Sequence, residues 1–254
     1  MSTDAGRRPE AAWPRGYGHL ALDSVTSTLD EAARRLPELA GPTWISARAQ
    51  TRARGRRGRA WANPEGNFAA ALVLPDPSDP ARAALRSFVA ALALFDVLAT
   101  LTGRPGALAL KWPNDVLLNG GKLAGILLEG LLPSGLAIGI GVNLAKAPAP
   151  DQVEPGALAP VSLAGETGLQ VTPEDFLETL APAYAAWEAQ FSSYGFAPIR
   201  SAWLARAARI GQPITARLPG EDITGTFRDV DEDGQLVLST PHGTRRIAAG
   251  DIFF

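Results

Sequence analysis

Residues 111–129 read Lys-Trp-Pro-Asn-Asp-Val-Leu-Leu-Asn-Gly-Gly-Lys-Leu-Ala-Gly-Ile-Leu-Leu-Glu. The apolar stretches around the Pro-Asn-Asp bend and the Asn-Gly-Gly turn have the length and punctuation of hairpin strands. A pleat of that kind carries Lys111, Asp115 and Lys122 to one short region of a sheet, so opposite charges meet beside a glycine-rich backbone.

Strands are expected to dominate from Leu108 to Asn143, with turns at Asn119-Gly120-Gly121 and Pro133-Ser134-Gly135. Upstream, after a loose segment from Met1 to Gly18, His19–Ser24 reads as a short strand. Ser27-Thr28-Leu29-Asp30-Glu31 has capping-box spacing and opens a helix running to about Leu36. Thr43–Ala47 and Phe68–Leu74 read as strands. Asp79 and Pro80 are placed to open a long apolar helix that ends near Gly103. Downstream, a Pro-rich loop from Ala145 to Gly156 gives way to helical patterns at 173–192 and 198–208.

From Gln212 onward the pattern changes. Short alternating pieces, Ile214–Arg217, Thr224–Phe227 and Gln235–Ser239, are separated by Pro-Gly, Asp-Gly and His-Gly turns. The expected architecture is therefore α/β (α+β): a mixed sheet with flanking helices over 1–210, then a small β-barrel over 211–254. The barrel should dock on the main domain, because so short a unit has a meagre core of its own.

A chain of 254 residues that is 46% hydrophobic, with net charge −2, suits one medium domain with a small appendage. It has no cysteine, which excludes a disulfide framework and thiolate metal or redox sites and leaves a reducing cytoplasm as the default. No run reaches the roughly 18 apolar residues of a membrane span. Of the 24 basic residues, 21 are arginine and only Lys111, Lys122 and Lys146 are lysine. In so arginine-biased a chain, a retained lysine points to a need for a compact ammonium.

Arg48, Arg52, Arg54, Arg56, Arg57 and Arg59 form the densest charge cluster, with Gly55 and Gly58 between them and Trp61 closing the run. Charges this close repel, so the segment should order only around anions such as phosphates or carboxylates. A solvated basic loop and a nucleic-acid tether are the other readings of such a run.

Read together, these segments resemble those of bacterial biotin protein ligases. Gln50-Thr51-Arg52-Ala53-Arg54-Gly55-Arg56-Arg57-Gly58-Arg59-Ala60-Trp61 is similar to the family's arginine loop, and Lys-Trp-Pro-Asn-Asp stands unbroken at 111–115. Lys122–Glu129 matches Lys-Leu-x-Gly-Ile-Leu-x-Glu, and Gly139-Ile140-Gly141-Val142-Asn143 matches Gly-x-Gly-x-Asn. The resemblance implies a class II synthetase-like catalytic domain with an SH3-like C-terminal barrel. It implies a two-step ligation in which biotin and ATP give biotinyl-5′-AMP and a lysine of a biotin carboxyl carrier domain, such as that of acetyl-CoA carboxylase, then takes the biotin.

The resemblance also assigns roles. Lys122 is the first catalytic candidate, reaching the biotin carboxylate and α-phosphate, and Arg54 is the second. Arg54 and Arg56 would pair with biotin and phosphate, and Arg57 and Arg59 with ATP or departing pyrophosphate. Ser27, Thr28 and Gln50 would hydrogen-bond the ureido ring, although helix capping alone accounts for the Ser-Thr pair. Leu29, Gly55 and Gly125 complete the biotin end; Asn114 and Lys111 join the nucleotide end, Lys111 with the alternative of supporting the bend. Asp115 is either a turn carboxylate or a Mg²⁺ ligand beside ATP. Asn143 and Trp61 would address the adenine by hydrogen bond and stacking, with a core role as the alternative for Trp61.

Two positions depart from the family: Leu29 replaces a common Asn, and Arg52-Ala53 replaces Ala-Gly, which adds a methyl where ligand approaches closely. Lipoate-protein ligases share the fold but lack the Arg-Gly repeat. A bifunctional ligase-repressor needs a DNA-binding domain, and only about 18 residues precede the first strand, so a monofunctional ligase without a nucleic-acid or membrane partner is expected. Edge strands could pair two copies or receive the carrier.

Overall fold

The computed structural model describes residues 12–77, 80–149, 152–153 and 158–254. Strands β1 (Gly18–Val25), β2 (Thr43–Gln50), β3 (Phe68–Leu74), β4 (Leu108–Lys111), β5 (Asp115–Leu118), β6 (Gly121–Leu131) and β7 (Gly135–Val142) form one sheet in the order β1-β2-β3-β7-β6-β5-β4. Only β1 and β2 are parallel, joined through helix α1 (Thr28–Arg35), and the remaining pairs are antiparallel.

Helix α1 starts where the cap chemistry directs it. The Ser27 hydroxyl accepts the Asp30 N–H at 3.1 Å, Asp30 and Glu31 occupy the first turn, and Arg34 and Arg35 the last, in accord with the helix dipole. The expected long apolar helix is two: α2 (Pro80–Ala83) and α3 (Arg86–Thr102), the latter ended by Gly103 in a left-handed conformation. Asp79, expected to open it, lies outside the described residues, as do residues 1–11 of the N-terminal segment. A short helix α4 (Leu163–Thr167), capped by Ser162, precedes α5 (Pro173–Tyr194) and α6 (Phe196–Leu204).

Strand β3 explains why its sequence is an unbroken apolar run. Phe68, Ala70 and Leu72 belong to the large core formed with α3, α5 and α6, whereas Ala71 and Val73 belong to a small cluster with Leu29, Ala32 and Leu36 around α1. A strand buried on both faces cannot alternate. On the α1 face beyond that cluster, β6 and β7 carry Gly125, Gly139 and Gly141. The missing side chains hollow the sheet there. At the β5–β6 hairpin, Asn119 and Gly120 have φ of 49° and 83°, the positive pair that an Asn-Gly hairpin turn requires.

The C-terminal strands β8 (Pro213–Leu218), β9 (Glu221–Val230), β10 (Leu236–Thr240), β11 (Gly243–Ile247) and β12 (Asp251–Phe253) form an antiparallel sheet in the order β11-β10-β9-β8-β12. The expected C-terminal β unit is thus present as five antiparallel strands, with β11 and β12 at the two ends of the order among the described residues. Its docking is as expected: Ile214, Phe227 and Leu236 join the large core, and Trp112 Nε1 donates to the Gly234 carbonyl at 3.0 Å. Among the described residues no helix is long and apolar enough to cross a membrane.

Candidate active site

A cavity of about 530 Å³ opens on the α1 face over the glycines of β6 and β7. Every residue singled out above as a site candidate lines it except Arg57, which turns to the C-terminal sheet.

The bend at 112–114 sets the charged floor. Lys111 and Asp115 are cross-strand neighbours, and Lys122 follows on the next strand. Asp115 Oδ1 lies 2.8 Å from Lys122 Nζ, and its Oδ2 lies 3.8 Å from Lys111 Nζ. Asp115 is 7% exposed, and its buried Oδ1 accepts no aligned hydrogen bond, so the contact with Lys122 is one of charge. Burial pushes the Lys111 ammonium below the ordinary lysine value, with Asp115 opposing the shift and Lys122 adding to it. Asn114 staples the bend by donating from its side chain to the Ile126 carbonyl and accepting the Ile126 N–H on its own carbonyl.

At the other end, Gln50 Oε1 accepts from the Thr28 N–H at 2.8 Å and the Thr28 hydroxyl at 3.2 Å. Leu29 places its methyls over Gly139, where a Cβ would come within 3.1 Å of them. Trp61 covers the middle of the floor: a Cβ on Gly141 would stand 2.6 Å from its indole and one on Gly125 3.1 Å. Lys122 Nζ lies 5.6 Å from the Trp61 ring centroid. Asn143 is buried, its amide donating to the Val161 carbonyl at 3.0 Å.

The arginine loop forms the roof. Repulsion argued for an unstructured segment without anions, yet the loop is a tight turn: Arg54 and Ala60 bridge, Gly55 N–H donates to the Arg59 carbonyl at 2.7 Å, and a 3₁₀ turn spans Arg56–Gly58. The anions it needs come from the chain itself. The Arg54 fork takes both Glu129 oxygens at 2.8 Å, and its Nη1 reaches Asp30 at 2.7 Å and Ser27 at 3.3 Å. These bonds, with Glu129 foremost, raise the Arg54 pKa, whereas burial lowers that of Arg56. Arg56, Arg57 and Arg59 surround Asp251 of β12.

The Biotin/lipoate A/B protein ligase family model matches residues 20–144, and the model described as Biotin protein ligase C terminal domain matches residues 210–254. A protein named biotin acetyl-CoA-carboxylase ligase, from Paracoccus denitrificans, is 55% identical over 92% of this chain and 99% of its own length. The chain belongs to the biotin protein ligase family. A like-named relative from Mycobacterium tuberculosis is 33% identical over 93% of this chain and 90% of its own length. The fold is shared with a biotin protein ligase from Aquifex aeolicus solved in complex with biotin and ATP, at a TM-score of 0.82 and 24% identity over 92% of this chain and 97% of that one.

Sequence reading missed several features of this family member's cavity. Asp251, Phe253 and Phe254 line it from the C-terminal sheet, and no spacing rule connects them with a loop some 190 residues earlier. Asp30 and Glu129 lay inside the quoted motifs, but their engagement of Arg54 depends on how α1 and β6 meet. A fork held by two carboxylates acts as a strut between those elements in this arrangement.

Proposed function

We propose that the chain is an ATP-dependent biotin protein ligase that joins biotin and ATP to biotinyl-5′-AMP and pyrophosphate, then passes biotin to a lysine of a carboxylase carrier domain. The observation that carries this reading is the excess of cations in the lining of one cavity: the Lys111 and Lys122 ammonium groups around Asp115, and the Arg56 and Arg59 guanidinium groups against Asp251. The first half-reaction brings a carboxylate against a triphosphate. Each opposed charge pair at about 4 Å is worth roughly 4 kcal/mol at an effective dielectric of 20, so such an excess is what permits two anions to meet.

Lys122 stands between the carboxylate of biotin and the α-phosphate, stabilising the negative charge that builds as the new bond forms and again as AMP departs. Gln50 spends its Oε1 on Thr28, which leaves its amide hydrogens to the ureido carbonyl. Leu29 and the glycine floor give the bicyclic ring an apolar seat. Arg56 and Arg59 receive the phosphates, and Asn143 and Trp61 border the adenine end. Magnesium enters on the triphosphate. Among the described residues no cluster of three acidic, His or Cys groups exists, while Asp115 and Asp251 are the carboxylates of the lining, which suits an ion held by phosphates and one carboxylate. Bound there, it would neutralise phosphate charge.

The reading extends to a catalytic unit over 1–210 and a C-terminal unit over 211–254, acting in the cytoplasm, with edge strand β1 available to a second copy or to the carrier. The outer side of β4 is taken by residues 206–208, Leu110 N–H donating to the Arg206 carbonyl and its carbonyl accepting the Ala208 N–H, both at 2.8 Å. Exchange of labelled pyrophosphate into ATP, driven by biotin and compared with lipoate, tests the reaction. Exchange with lipoate alone would replace this function with lipoate activation.

A further inference from the structure

Asp251 belongs to none of the motifs that mark the site, yet it is the anion on which the arginine loop closes. Its Oδ2 lies 3.0 Å from Arg57 Nη1 and contacts Arg59 Nη2, and its Oδ1 lies 3.5 Å from Arg56 Nη1. Arg56 Nη1 also donates to the Gly250 carbonyl at 2.9 Å. The carboxylate is 17% exposed and lines the cavity.

One carboxylate here faces three guanidinium groups, the reverse of Arg54, whose single guanidinium meets two carboxylates. Three planar forks converging on two oxygens suit a phosphoryl group, with its three acceptor oxygens, better than they suit a carboxylate. The turn bends round this point through two consecutive left-handed residues, Arg57 at φ 58° and Gly58 at φ 72°. Strand β12 is three residues long and among the described residues pairs with β8 alone, so few hydrogen bonds hold it in place.

We infer that Asp251 is a resident substitute for the nucleotide's β- and γ-phosphates. It holds the arginine loop over the cavity in the ligand-free protein, and triphosphate or pyrophosphate displaces it and loosens β12. The C-terminal sheet thereby registers occupancy of the phosphate seat. This inference rests on the adenylation reading above. A permanent latch, in which Asp251 stays beside the bound phosphates and orders the loop for them, predicts the opposite sign for every measurement below.

Binding of inorganic pyrophosphate alone, measured by calorimetry at fixed ionic strength, should be roughly two- to fivefold tighter for Asp251→Asn than for the wild type, the scale of one partly exposed ion pair. In the wild type, which raises no question of folding, pyrophosphate should speed hydrogen exchange at 251–253 and at their β8 partners 215–217. Equal or weaker pyrophosphate binding by Asp251→Asn, or slower exchange in β12 on adding pyrophosphate, overturns the inference. Wild-type protein that neither binds pyrophosphate nor supports biotin-dependent exchange would instead remove the adenylation reading. Normal wild-type exchange with unimproved binding by the variant removes the role of Asp251 alone.

Discussion

Lys122 Nζ lies 2.8 Å from Asp115 Oδ1, and the other oxygen of the same buried carboxylate faces Lys111. One carboxylate thus holds two ammonium groups at the floor of the cavity, with a net positive charge left for an incoming anion. Lys122→Arg keeps the charge but replaces a compact ammonium with a larger planar fork of different contact geometry toward Trp61 and Asp115. Its exchange rate should stay within about tenfold of that of Lys122→Ala, and a return to the wild-type rate would show that charge alone suffices.

The glycine floor predicts a stability effect. Gly141→Ala places a methyl 2.6 Å from the Trp61 indole, an overpacking expected to cost about 1–3 kcal/mol. The same substitution made on a Trp61→Ala background should cost much less. Equal losses of melting temperature in the two backgrounds would mean that the clash is with something other than Trp61.

Ala53 lines the cavity where the family commonly has Gly, and its carbonyl accepts the Trp61 N–H at 2.9 Å. Removing the methyl in Ala53→Gly should tighten biotin binding. An unchanged dissociation constant would show that ligand does not approach this position closely.

The alkaline limb of stability should involve Tyr17. Burial, aided by Glu188 and opposed by Arg86, pushes its phenol up to about 12, from 10.0 in the open chain. Between those values the folded protein keeps a proton that the unfolded chain releases. Stability is therefore full below the lower value and falls as the pH rises through the window. Tyr17→Phe should lose less stability to urea between about pH 9 and about pH 11 than the wild type. The fall should not vanish, because buried Tyr184 is shifted in the same direction. Parallel profiles for variant and wild type would remove Tyr17 from the alkaline transition.

Much of this architecture is legible in the chain because its signals are local. Asn119-Gly120 signals a hairpin, Ser27 with the acidic residues that follow signals a helix start, and the apolar run Phe68–Leu74, stopped by the Pro-rich segment after it, reads as a strand. What escaped depends on tertiary assembly. The order of the arginine loop follows from carboxylates at positions 30, 129 and 251 that reach it only after folding. The long apolar helix is interrupted near Leu85, where Leu85 and Phe88 pack against the Gly234 turn of the C-terminal sheet.

The central claim is that Lys122, held by Asp115 beneath the arginine loop, drives formation of a biotinyl adenylate. Biotin-dependent exchange of labelled pyrophosphate into ATP, compared between the wild type and Lys122→Ala at saturating biotin, tests it most directly. The account predicts exchange in the wild type and a fall of about 10²–10³-fold in the variant, the usual consequence of removing one preorganised transition-state contact. Undiminished exchange by Lys122→Ala would contradict it.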